Sequence, residues 1–164
     1  MLKEDEIVGG TKVKWKGVFD LSLLYNKMKD WLVVEGYSEP TESSYTEKVK
    51  PEGKQVEFVW SSFKEEEEYF NYKIGISVRV IELQDIETVH GGKKMKLQKG
   101  TIEISIKSSL CHDVKDKWKQ NPSWGKFYEK YFMRENVEKN EIELYDKTLD
   151  FVDMIKDFLS LYAF

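Results

Sequence analysis

The chain has 164 residues, of which 40% are hydrophobic and 34% charged, with 26 basic against 30 acidic side chains. That composition belongs to a globular domain with a substantial core, and it excludes a generally basic nucleic-acid binder and a chain of membrane spans. A single cysteine also excludes an internal disulfide framework and any multi-cysteine zinc site.

The first residues, Met1-Leu-Lys-Glu-Asp-Glu, lack the basic and then apolar regions of a secretory signal. Proline bars Asn121-Pro122-Ser123 from glycosylation, and a lone thiol suits a reducing compartment, so the sequence reads as cytoplasmic. Residues 1–10 read as a polar, mobile lead-in, and residues 11–164 as a single domain without repeats or linkers.

Thr11 to Phe19 alternates, with Val13, Trp15 and Phe19 on one face and Lys12, Lys14 and Lys16 on the other, as in a half-buried strand. Asp20 stands where an N-cap belongs. Leu21, Leu24, Tyr25, Met28, Trp31 and Leu32 recur at helical spacing, and Gly36 supplies a left-handed stop, so a helix is expected over 21–35. Tyr45–Lys50 and Gln55–Phe63 are expected to pair as a hairpin through Pro51-Glu52-Gly53. Glu65 to Glu68 reads as a solvated connection, and Tyr69 to Ile81 as a strand with its even-numbered face in the core.

His90-Gly91-Gly92-Lys93 signals a second hairpin, returning along Thr101 to His112. A turn on the two glycines pairs residues whose numbers sum to 183, yet Val78 and Val80 must share a face with Ile102, Ile104 and Ile106. Even cannot oppose even at an odd sum, so a one-residue slip, a β-bulge, is required near Gln84–Asp85 or Lys99–Gly100. Asn121-Pro122 opens a further helix, with Trp124, Phe127, Tyr128, Tyr131 and Phe132 at helical spacing, and a last helix covers about 138–162.

The order β-α-β-β-β-β-α-α gives an α+β fold: an antiparallel sheet of four to five strands, with an early helix and a long C-terminal helix packed on one face. This order resembles helix-grip or START-like domains, in which a curved antiparallel sheet grips a long C-terminal helix and often encloses a ligand cavity. The segments Lys14-Trp15-Lys16-Gly17-Val18-Phe19-Asp20, Lys27-Met28-Lys29-Asp30-Trp31-Leu32, and Gly92-Lys93-Lys94 leading to Lys99-Gly100 are similar to a family of small uncharacterised archaeal proteins. That resemblance implies a lineage and no activity.

The motifs of chemistry are sparse. Cys111 and His112 are adjacent on a strand and so point to opposite faces, which argues against a catalytic dyad and for packing. His90 and His112 are the only imidazoles and have no metal-ligand spacing, and no phosphate-cradling glycine motif exists. No catalytic, metal or cofactor site is therefore expected.

Lys93, Lys94, Lys96 and Lys99 make a lysine-rich hairpin tip suited to RNA, a ribosome or an acidic partner. Lys115 to Lys130 interleaves lysines with Trp118, Trp124, Phe127 and Tyr128, a pattern that suits core packing better than base stacking. From Arg134 onward there are four basic and eight acidic residues, so an acidic helix opposes the basic hairpin, and head-to-tail self-association is one consequence. Phe158, Leu159, Leu161, Tyr162 and Phe164 are apolar on more than one face and need cover from the domain or from another chain. The leading expectation is a non-enzymatic binding module with an apolar cavity between sheet and C-terminal helix, walled by Trp15, Trp31, Phe58, Trp60, Phe70 and Tyr72.

Overall fold

A computed structural model describes residues 3–67, 70–112 and 134–163. The order is β1 (Lys3–Phe19), α1 (Leu21–Val34), β2 (Thr41–Lys50), β3 (Gly53–Glu67), β4 (Phe70–His90), β5 (Lys93–His112) and α2 (Arg134–Ser160). The strands form one antiparallel sheet in the order β1-β5-β4-β3-β2. β2 to β5 are a meander of hairpins, and β1 joins at the far side, against the last strand. The expected helix from Asn121 and the Lys115–Lys130 segment lie outside the described residues.

The local signals act as their chemistry dictates. Asp20 caps α1: its Oδ1 accepts from the Leu23 amide at 3.0 Å. A second open amide of that turn, from Leu21, is taken by Gln98 Oε1 at 2.9 Å. Gly36 lies at φ 89°, just past the helix, where the Tyr37 amide returns to the Leu32 carbonyl at 2.9 Å. Lys50 pairs with Gly53, so the β2–β3 turn is tight as expected.

The required bulge is present. On the body of the β4–β5 ribbon, Ile81 pairs with Thr101; toward the tip, Gln84 pairs with Lys99. Glu82 and Leu83 together oppose Gly100, and Glu82 takes φ 54°, a left-handed conformation unusual for a residue with a Cβ. Both flanking strands make room for it with glycine. A Cβ on Gly100 would lie 2.9 Å from the Ile81 carbonyl oxygen, and one on Gly53 would lie 2.7 Å from the Glu82 carbonyl carbon.

Three expectations on extent are corrected. The polar stretch expected as a lead-in is strand from Lys3, which pairs with His112; register shifts between Glu6 and Thr11 carry β1 across Gly9 and Gly10. The acidic run from Glu65 belongs to β3 through Glu67, where backbone pairing overrides charge. β2 starts at Thr41 rather than Tyr45: it is exposed throughout, so no burial pattern marks it.

The even-numbered side chains of β4 and β5 form the buried face, including Tyr72, Ile74, Ile76, Val78, Val80, Ile102, Ile104 and Ile106. Leu144, Phe151, Val152, Ile155 and Leu159 of α2 and Leu24, Met28 and Leu32 of α1 close over it as one continuous core. α2 lies against β1, β5 and α1. α1 reaches β3 through Tyr25, whose ring lies 5.4 Å from Phe58 and 4.5 Å from Trp60. The helices therefore cover the β1–β5–β4 side of the face and stop short of β2. At its C-terminal end, Phe158 and Leu159 are buried, Tyr162 packs on Phe158 at 5.5 Å, and Leu161 is exposed.

Candidate functional site

The uncovered strip makes a cleft of about 660 Å³. Residues directly opposite on paired strands share a face, so Phe58 places Tyr45, and Val56 places Glu47, on the side that carries α1. The floor of the cleft is Val56, Phe58 and the inner side of β2. Leu21, Ser22 and Tyr25 of α1 make one wall, and Leu83, Gln84, Asp85 and Gln98, at and beside the bulge, close one end. The bulge is thus part of the site: it turns Leu83 inward and places Gln84 and Asp85 at the rim.

The lining is aromatic with a charged border. The rings of Phe58 and Trp60 are 5.2 Å apart, and Tyr45 stacks on Phe58 at 6.3 Å with planes 17° apart. Tyr45 and Val49 are 51% and 80% exposed, large apolar surface facing the cleft on a strand that no helix covers. Glu47 is bound by Lys54 at 3.1 Å and accepts from the Tyr45 hydroxyl at 3.3 Å. The Lys54 ammonium holds the Glu47 carboxyl below its usual range, and Glu47 raises the Lys54 ammonium above its own. Glu42 accepts from Trp60 Nε1 at 3.2 Å. Burial, followed by the nearby Glu42 carboxylate, raises the Tyr25 phenol; burial and then Glu47 raise Tyr45. Both phenols therefore stay neutral donors.

Of the six aromatic residues expected to wall a cavity, Phe58 lines this one. Trp60, Phe70 and Tyr72 are buried in the core, Trp31 packs on Phe151 at 4.8 Å, and Trp15 turns its Nε1 to the Val18 carbonyl at 3.1 Å. The cavity was expected beneath the C-terminal helix; among the described residues that interface is packed, and the cleft opens over the other half of the sheet. Tyr72 shows how tightly the packed half is fixed, since its buried hydroxyl donates to Asn140 Oδ1 of α2 at 2.6 Å.

Lys93, Lys94, Lys96 and Lys99 are all exposed on the β4–β5 hairpin, but pairing brings acid beside them. Lys96 stands directly opposite Glu87, Lys99 opposite Gln84 next to Asp85, and the two faces of the ribbon divide the four lysines between them. The tip is a mixed-charge ribbon with alternating lysines, a weaker polyanion surface than the linear count suggests.

Cys111 and His112 are both buried and point to opposite faces, as expected. His112 Nε2 lies 2.8 Å from Asp5 Oδ2 and its ring meets Phe70 edge-on at 5.4 Å, a pairing that anchors the start of β1 to the end of β5. Burial, and then Glu4, raises the Cys111 thiol, so it is a poor thiolate. Neither residue lines the cleft. His90 sits at the hairpin tip, separated from His112 by the length of β5, roughly 60 Å at ~3.3 Å per residue. Among the described residues no cluster of three or more His, Cys, Asp or Glu side chains is arranged to hold a metal ion. No described helix is long and apolar enough to cross a membrane.

No protein-family model matches this chain, and no curated protein matches it. Among solved structures, an uncharacterised protein from Rhizobium leguminosarum aligns over 98% of both chains with 6% identity and a TM-score of 0.23, a likeness too slight to carry any argument about fold or function.

Proposed function

We propose that the protein is a binding module whose ligand is a small, largely apolar molecule held in the cleft between α1 and the β2–β3 strip. One observation carries this reading. Large apolar side chains, Tyr45 and Val49, stand exposed on a sheet face that is otherwise buried, beside a cleft of about 660 Å³. Cavities of about 300–1,000 Å³ with apolar walls and a few polar groups are typical of small-molecule sites. Tyr25, Tyr45, Gln84 and Gln98 supply the polar groups here, as donors and acceptors that can orient a ligand.

Native mass spectrometry of the protein purified from its own host tests the proposal. The expected result is a co-purified small molecule that is lost from a Tyr45→Ser, Val49→Ser variant. Both positions are exposed, so the variant should keep the wild-type melting temperature. An unliganded wild-type protein, or a ligand retained in full by the variant, would overturn the reading.

A further inference from the structure

The charge of the cleft is not uniform along its length. Lys50 and Lys54 sit at the β2–β3 turn, and Lys54 is engaged with Glu47. Glu42 stands eight residues up the same strand from Lys50, roughly 25 Å away at ~3.3 Å per residue, and five residues from the Glu47 that engages Lys54. Its carboxylate receives a neutral donor, Trp60 Nε1, and among the described residues no lysine, arginine or histidine forms an ion pair with it. A carboxylate offers about four acceptor positions, so capacity remains after that bond.

The surroundings of Glu42 are aromatic. The Trp60 ring that bonds it lies 4.5 Å from the Tyr25 ring, edge to face, and Tyr45 completes the group from β2 itself. Tyr25, Glu42 and Tyr45 all line the cleft. An anion with no cationic partner, flanked by π faces, attracts an organic cation twice over: by ion pairing and by the ring quadrupoles. An anionic head at the same end would be repelled by Glu42, because the Lys54 charge is already taken up by Glu47.

We infer that the cleft selects ligands bearing a protonated amine, with Glu42 as the counter-charge and the Tyr25 and Tyr45 rings beside the ammonium, while the buried Trp60 holds the Glu42 carboxylate in place. This inference rests on the binding-module reading and narrows its ligand class.

Three probes of one shape separate the two ideas: 2-naphthylmethylamine, 2-naphthylmethanol and 2-naphthoate. Each is titrated into the full chain while the assigned Trp60 indole N–H resonance is followed by NMR, since that proton reports on Glu42. The amine should bind about tenfold more tightly than the alcohol, and the carboxylate more weakly than either. Glu42→Gln should abolish the preference for the amine, with the alcohol still shifting the cleft resonances, which also shows the variant to be folded. Equal affinity for amine and alcohol, or a preference that survives Glu42→Gln, would overturn the amine inference and leave the apolar cleft standing. Failure of all three probes to shift any cleft resonance would overturn both.

Discussion

Replacing Gly100 by alanine asks whether the bulge needs the space that glycine leaves. The added methyl would sit 2.9 Å from the Ile81 carbonyl oxygen, 3.2 Å from Leu83 Cα and 3.3 Å from the Glu82 carbonyl oxygen. All three are backbone atoms of a paired strand, so no side chain can swing aside to relieve the contact. Gly100 is not among the positive-φ glycines, so the cost is steric rather than conformational. Overpacking of this kind typically costs about 1–3 kcal/mol. For a chain of this size each kcal/mol lowers the melting point by about 2–4 °C, which gives a drop of about 2–12 °C. Gly75→Ala is the matched control, because nothing lies within 4 Å of its new methyl and alanine has the lower entropic cost of ordering. Differential scanning calorimetry of the two variants beside wild type provides the comparison. If Gly100→Ala melts with Gly75→Ala, the bulge is free to relax, and the argument that two glycines are needed to seat it fails.

Three further outcomes follow from the contacts described. Asp20→Ala removes the cap of α1 and should cost about 1 kcal/mol in urea unfolding, with Asp20→Asn recovering most of it; equal midpoints would remove the cap from the account. Tyr72→Phe leaves Asn140 Oδ1 without its buried donor and should cost about 1–3 kcal/mol by the same assay, whereas an unchanged midpoint would mean that water replaces the hydroxyl. Tyr37 is buried beside Glu66, Glu35 and Glu143, and burial first and then these carboxylates raise its phenol well above the ordinary value. A raised folded-state pKa gives stability that is complete below about pH 10 and is lost as pH rises beyond it. Alkaline unfolding followed by circular dichroism should therefore be less steep in Tyr37→Phe, and identical profiles would show that Tyr37 does not contribute.

What could be read from the sequence was what depends on near neighbours and on parity. Asp20 and Gly36 bound the first helix by their own chemistry. The slip opposite Gly100 followed from two even-numbered apolar sets that an odd-summed turn could not align. The start of β1 was hidden because Glu4, Asp5 and Glu6 carry no alternation and Gly9-Gly10 interrupts it; its strand character comes from β5, about a hundred residues downstream in the chain. The cleft was hidden for a related reason. Trp60 and Phe58 are equally apolar in sequence, and whether each fills a core or faces open space depends on where two helices stop across the sheet. The acid beside the lysine tip was hidden because charge was counted along the chain, while Glu87 lies across the ribbon from Lys96.

The pairing of β1 with β5 has a consequence for how the chain reaches this fold. Lys3 meets His112, and the two strands stay in register through to Phe19 and Gln98 apart from the shifts near Gly9 and Gly10. Closing so long a loop in an open chain carries a loop-closure cost that must be met before any contact repays it. The meander changes that cost. Once β2 to β5 have zipped through their hairpins, the tether between β1 and its partner shortens to α1 and the turn that follows it. The capping of the Leu21 amide by Gln98 then delivers β1 to the correct strand. The earliest of these five strands in chain order should thus be the last to join the sheet, and a hydrogen-exchange pulse during refolding would find its amides protected after those of β3, β4 and β5.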